Sequence, residues 1–182
     1  MISNSPQRTF GRQTQIARRQ FLKATIVSSG VAALASTLWP QGTLAAGHTD
    51  ILLLSCMDYR LVDDTERYMT RRGLRNKYDH VVLPGAALAA VTEKYPEWNK
   101  TFWDELGLAI ELHHVHKVMI LDHRDCGAYK QIFGEDFARH PKKETEIHAF
   151  NLKRLTELIH EKHEPLEVEI LLMNLAGRVE KI

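Results

Sequence analysis

Four apolar runs of strand length set the strongest limit on what this chain can become: "ILLLSC" (Ile51 to Cys56), "HVVLPG" (His80 to Gly85), "KVMILDH" (Lys117 to His123) and "VEILLMN" (Val168 to Asn174). The first shows no polar alternation before Ser55, the pattern of a central parallel strand covered on both faces. Pro84 and Gly85 stop the second. Helical patterns separate the runs. Asp63 and Asp64 place acid at the start of a helix that should end near Gly73. From Trp98 to about His113, residues Phe102, Leu106, Ala109 and Ile110 recur at helical spacing. Ile147, Phe150, Leu155, Leu158 and Ile159 supply the apolar residues of a last helix from Glu144 to His163, for which "PKKETEIHAF" reads as a charged start. Strand alternating with helix four times predicts a three-layer α/β/α domain on a short parallel sheet of about four strands, in the common order 2-1-3-4.

That topology says where a site belongs. Ligands of an open parallel sheet gather beyond the carboxyl ends of its strands, where the strand order reverses. Here the reversal falls between the first and third strands. Cys56 ends the first; His123 and Cys126 lie at the end of the third, and these are the only two cysteines in the chain. Two thiolates and an imidazole suit zinc and leave a fourth tetrahedral position open, as a catalytic site requires. The H-x-x-C spacing lets His123 and Cys126 grip one ion, with Gly127 giving the backbone room to turn into the next helix. Asp58 and Arg60 stand two and four residues after Cys56 and can pair beside such an ion.

Blander readings compete with each of these. In an oxidising compartment Cys56 and Cys126 can form a disulfide, although that gives no reason for His123, Asp58 and Arg60 at their offsets. Asp58 and Arg60 can be a surface ion pair of little energetic weight. His113, His114 and His116 resemble a metal cluster but sit where a helix end favours imidazolium. Tyr59 and Tyr129 adjoin the motifs, and periodicity does not say which of them walls a pocket.

The first 46 residues follow another grammar. "ARRQFLKATIVSSGVAALASTLWPQGTLAAG" runs from twin arginines through an apolar stretch of about fifteen residues (Ala24 to Leu38) to small residues at Ala45 and Ala46. Arg18, Arg19, Phe21, Leu22 and Lys23 resemble the R-R-x-F-L-K pattern of a twin-arginine export signal. A retained membrane anchor is the alternative, but the stretch is short for a span and softened by Ser28, Ser29 and Gly30. The expectation is a signal peptide over 1–46, cleaved after Ala45 or Ala46, a functional domain over 47–182, use of the twin-arginine export machinery and a periplasmic or other extracytoplasmic location. The first 45 residues carry five basic side chains and no acid, so the remainder holds 19 basic against 23 acidic residues. A nucleic-acid partner is not expected of such a surface.

C-x-D-x-R (Cys56, Asp58, Arg60) followed by H-x-x-C-G (His123, Cys126, Gly127) resembles the β-class carbonic anhydrases. The resemblance extends to "DELGLAIELHHV" and to the ending "LLMNLAGRVEKI", most of the chain after residue 46. It implies one zinc per chain held by Cys56, His123 and Cys126, with Asp58 and Arg60 as a dyad beside it and Asp58 a possible fourth ligand in a closed state. The implied reaction is reversible hydration of carbon dioxide to bicarbonate and a proton, in a homodimer or higher homo-oligomer. Some positions depart from the family's pattern. "LPGAALA" (Leu83 to Ala89) replaces a segment like R-N-A-G, Asp122 replaces a glycine before the metal histidine, and the mature chain is expected to begin almost at Ile51, whereas many members have a glutamine and helices before the first strand. Two alternatives therefore stand beside carbon dioxide hydration: hydrolysis of a linear sulfur analogue such as carbonyl sulfide or carbon disulfide, and a non-catalytic exported zinc-binding domain.

Overall fold

The computed structural model describes residues 48–182, so the export-signal reading of residues 1–46 lies outside the described part. In chain order the elements are β1 (Ile51–Cys56), a 3-10 turn (Tyr59–Leu61), α1 (Val62–Arg71), β2 (Tyr78–Leu83), α2 (Ala87–Val91), α3 (Pro96–His113), β3 (Lys117–His123), α4 (Gly127–Phe133), a second 3-10 turn (Phe137–Arg139), α5 (Pro141–Lys162), β4 (Glu167–Met173) and β5 (Val179–Lys181). None of the described helices is long and apolar enough to cross a membrane.

The first four strands are parallel in the expected order 2-1-3-4, but the sheet has a fifth, antiparallel strand against β4. The expectation of four parallel strands is corrected accordingly, and a turn supplies the reason. The Asn174 side chain accepts from the backbone N–H groups of Ala176 and Arg178, and Gly177 adopts a left-handed φ of 69°, so the chain reverses directly onto β4.

Alternation along the strands feeds two cores. Leu52, Leu54, Val118 and Ile120 point to one face, where they pack with Phe102 and Leu106 of α3, Leu152, Leu155 and Ile159 of α5 and the alanines of α2. Ile51, Leu53, Met119, Leu121, Leu171 and Met173 point to the other, under Met69 of α1. This is the three-layer arrangement, with one main helix below the sheet and three above it. Each fully buried leucine or phenylalanine contributes roughly 1.5–3 kcal/mol by leaving water. Phe150, one of the apolar residues assigned to the last helix, instead lies on its outside at 65% exposure. The inner stripe of α5 is Glu144, His148, Asn151, Leu152, Leu155 and Ile159, three of them polar or charged.

The parallel register sets the site. Cys56 pairs with Leu83 at the end of β2, while Ser55 pairs with Leu121 on β3, leaving Asp122 and His123 just beyond. The carboxyl ends of β1, β2 and β3 therefore converge at one edge of the sheet.

Candidate metal centre and its cleft

At that edge the ligand atoms of Cys56, His123 and Cys126 all lie within 4.8 Å of one another, the only such group among the described residues. Cys56 is partly buried, whereas His123 and Cys126 are 3% and 6% exposed. The two sulfurs are 3.9 Å apart and both cysteines are free. The His123 ring is committed on one side. Its Nδ1–H donates to the Arg124 carbonyl at 2.8 Å, which leaves Nε2 as a lone pair. That Nε2 is buried and has no hydrogen-bond partner. A buried nitrogen left unpaired beside two thiols is costly. As the third donor to a metal it is satisfied, and the soft donor set with a fixed imidazole tautomer fits zinc.

Backbone amides are arranged for negative sulfur. Gly85 donates its N–H to Cys56 Sγ at 3.2 Å from a turn in which Gly85 and Ala86 both have positive φ, 79° and 43°. A side chain at Gly85 would be strained by that φ and would come within 3.1 Å of Ala128 Cβ. The backbone of Ala128 and Tyr129, at the start of α4, favours charge on the Cys126 sulfur. Cys56 is brought down to about 5, first by the hydrogen bond from Cys126 and then, against desolvation, by His123 and the Gly85 amide. Cys126 is pushed up because the Cys56 sulfur beside it already carries the charge. Burial opposes charge on His123, but the Cys56 thiolate outweighs it and holds the imidazole above its ordinary value. Without a cation the centre stores one negative charge easily and a second with difficulty. A bound dication reverses that balance.

Asp58 and Arg60 lie beside this group as a bidentate pair. Arg60 Nε donates to Asp58 Oδ1 at 3.0 Å and its terminal nitrogen to Oδ2 at 2.7 Å, while the Arg60 backbone N–H adds a third bond to Oδ1. These bonds, led by the Arg60 side chain, hold the Asp58 carboxyl below its ordinary value. Asp58 Oδ2 stands 3.8 Å from His123 Nε2. Arg60 also reaches across to the third strand's loop, donating to Asp125 Oδ2 at 2.7 Å and to the Asp125 carbonyl at 2.9 Å. Sequence reasoning did not single out Asp125. Its left-handed φ of 56°, uncommon for a side chain other than glycine, makes the turn inside H-x-x-C. The role expected of Gly127 is thereby corrected: its φ is not positive, and a side chain there would meet nothing within 4 Å.

A cleft of about 650 Å³ opens over the group, walled by Met57, Tyr59, Pro84, Tyr95, Trp98 and Ile132. Of the two tyrosines that adjoin the motifs, Tyr59 lines this wall, at 85% exposure, while Tyr129 is buried outside it. Tyr95 and Trp98 are stacked with ring centroids 4.0 Å apart. Of the helix-end histidines, His113 pairs with Asp79 at 2.7 Å.

A protein-family model described as "Putative carbonic anhydrase" matches residues 46–182 of this chain. The chain belongs to this carbonic anhydrase family. Uncharacterized proteins of Rickettsia bellii and Rickettsia conorii are 44% identical to it over 131 residues, which is 72% of this chain and 80% and 70% of theirs. Among solved structures, a carbonic anhydrase from Glaciozyma antarctica superposes with a TM-score of 0.50 at 14% identity, covering 93% of this chain and 96% of its own. A β-carbonic anhydrase from Trichomonas vaginalis gives 0.50 at 18% identity, with coverage of 92% and 93%. These likenesses establish a shared fold with the β-carbonic anhydrases. Family membership is carried by the sequence match, which spans every residue of the centre described above.

Proposed function

We propose that this chain binds one zinc ion through Cys56, His123 and Cys126 and catalyses CO2 + H2O ⇌ HCO3⁻ + H⁺. The observation that carries the reading is the bare, buried Nε2 of His123 converging with the two cysteine sulfurs at the mouth of a cleft. Zinc supplies a Lewis acid that brings the acidity of water from about 15.7 toward 7.

The chain's own residues supply the rest. Asp58 has both oxygens held by Arg60, so it points a fixed acceptor at the centre and orients a reacting water through its proton. Arg60 keeps that carboxylate ionised and restrained, since a forked, charge-assisted pair resists rotation better than a single contact. Met57, Pro84, Trp98 and Ile132 present apolar surface to a small neutral substrate. The same surface accommodates a linear sulfur analogue, so carbonyl sulfide and carbon disulfide belong in the assay beside carbon dioxide.

The first test is metal analysis of the purified chain with stopped-flow hydration of carbon dioxide, for the wild type and Asp58→Asn. About one zinc per chain is expected in both, with turnover in the variant reduced roughly 100-fold through loss of orientation. Full turnover in Asp58→Asn would refute the role of that carboxylate. Zinc without turnover on any of the three substrates would leave a binding domain.

Two further proposals attach to this reading. Met57, Val62 and Val82 are exposed at 61%, 62% and 47%, and covering them favours self-association. Light scattering should return a multiple of the chain mass. Export through the twin-arginine pathway predicts a mature chain beginning at Ala46 or Gly47, which the intact mass of protein from the extracytoplasmic fraction reads directly.

A further inference from the structure

Asp122 is the side chain at which the elements around the Cys-His-Cys group meet. It lies on β3 immediately before His123, on the face shared with Val118 and Ile120, and its side chain is completely buried. Its Oδ1 accepts from the Ala87 N–H at 3.0 Å. Its Oδ2 accepts from the Tyr129 hydroxyl at 2.6 Å and from Nδ1 of His148 at 2.7 Å. Tyr129 and His148 are each 1% exposed and pack ring against ring at 3.9 Å. A buried carboxylate is expensive unless its lone pairs are matched, and here three donors from three helices match them.

Each donor leads to a ligand. Ala87 opens α2 directly after the Gly85–Ala86 turn whose amide bonds Cys56 Sγ. That turn holds Ala86 at φ 43°, a conformation a β-carbon disfavours and that persists only where its surroundings impose it. Tyr129 stands three residues after Cys126, on the short helix that Cys126 itself caps at its N-terminus. His148 fixes α5, from which Glu144 reaches the same loop by accepting the Asp125 N–H at 2.6 Å and pairing with Arg124 at 3.2 Å. The third ligand, His123, is the next residue in the chain.

We infer that Asp122 is a positioning residue for the metal centre, setting through Ala87, Tyr129 and His148 where the three ligand atoms stand. The inference rests on the zinc reading above. A purely structural role would make Asp122 important for stability without any particular effect on the metal, and the two roles separate experimentally.

The full chain is prepared as wild type, Asp122→Asn, Tyr129→Phe and Leu155→Ala. Zinc affinity is measured by competition with a chromophoric chelator, and each protein is also loaded with cobalt(II) for its absorption spectrum. Asparagine keeps the shape of Asp122, but however it is turned it places an NH2 group against at least one of the three donors. It should weaken zinc binding about 10–100-fold, the usual cost of losing an outer partner, and shift the cobalt bands. Tyr129→Phe should move both readouts in the same direction by less. Leu155, buried in the helix-side core, is the control: its truncation lowers the melting temperature and leaves affinity and spectrum unchanged. Wild-type affinity and spectrum in both Asp122→Asn and Tyr129→Phe would overturn the inference, as would an equal loss of zinc in Leu155→Ala. If Asp122→Asn does not fold, Tyr129→Phe decides alone. A wild-type chain that takes up no zinc overturns the functional reading itself, a result distinct from a wild type that binds and variants that bind as well.

Discussion

Cys56→Ser is expected to fold, to retain its cleft and to lose both zinc and hydration activity. A serine hydroxyl is a hard donor that stays protonated at neutral pH, so it supplies neither the charge nor the softness of the sulfur it replaces. The loss of affinity should exceed the roughly 10–100-fold that follows removal of an outer partner, leaving zinc content below about one-tenth of the wild-type value after dialysis against a weak chelator. The fold should survive because Cys56 ends β1 and its one backbone partner, the Gly85 amide, can donate to an oxygen as readily. Metal analysis and circular dichroism together check this. Full zinc occupancy in the variant would remove Cys56 from the ligand set. A wild-type chain with no metal and no titratable thiols would mean that the two sulfurs, 3.9 Å apart here, have closed to a disulfide instead.

The convergence of Cys56, His123 and Cys126 was legible in the sequence for a simple reason. Cys56 and His123 end apolar runs of strand length, and in a parallel sheet of order 2-1-3-4 the ends of β1 and β3 are neighbours. What was not legible depends on contacts across the fold. Asp125 joins Arg60 over 65 positions, and no local period marks that pairing. α2 reads as an unpunctuated "ALAAV", buried on nearly every side, so it carries no amphipathic signal. β5 is three residues long, below the length at which alternation can be seen. One signal did exist and points to the buried network. Glu144 and His148 stand at helical spacing with Leu152, Leu155 and Ile159, so the apolar stripe of α5 has two titratable residues set into it. Reading "PKKETEIHAF" as a charged helix start hid this, because surface charges and stripe charges look alike until each is placed on the helical wheel.

Arg60→Ala should separate holding the metal from using it. The side chain contacts none of the three ligands, so zinc content is expected to stay near one per chain. Yet Arg60 supplies the forked bonds to Asp58 and the tether from that pair to Asp125. Once freed, Asp58, whose Oδ2 stands 3.8 Å from His123 Nε2, would be available as a fourth ligand to a bound zinc and would close the site. Turnover should fall about 100-fold or more, the scale set by misplacing a catalytic group by an ångström. Arg60→Lys should resemble alanine more than the wild type, since a point charge cannot fork two carboxylate oxygens and reach a second carboxylate as well. The decisive comparison is the double variant Asp58→Asn with Arg60→Ala. If Arg60 acts only by restraining Asp58, the double variant should be no slower than the slower single one, because each change removes the same device. Losses that multiply would show that Arg60 serves the reaction by a second route, for which its reach to Asp125 is the structural candidate.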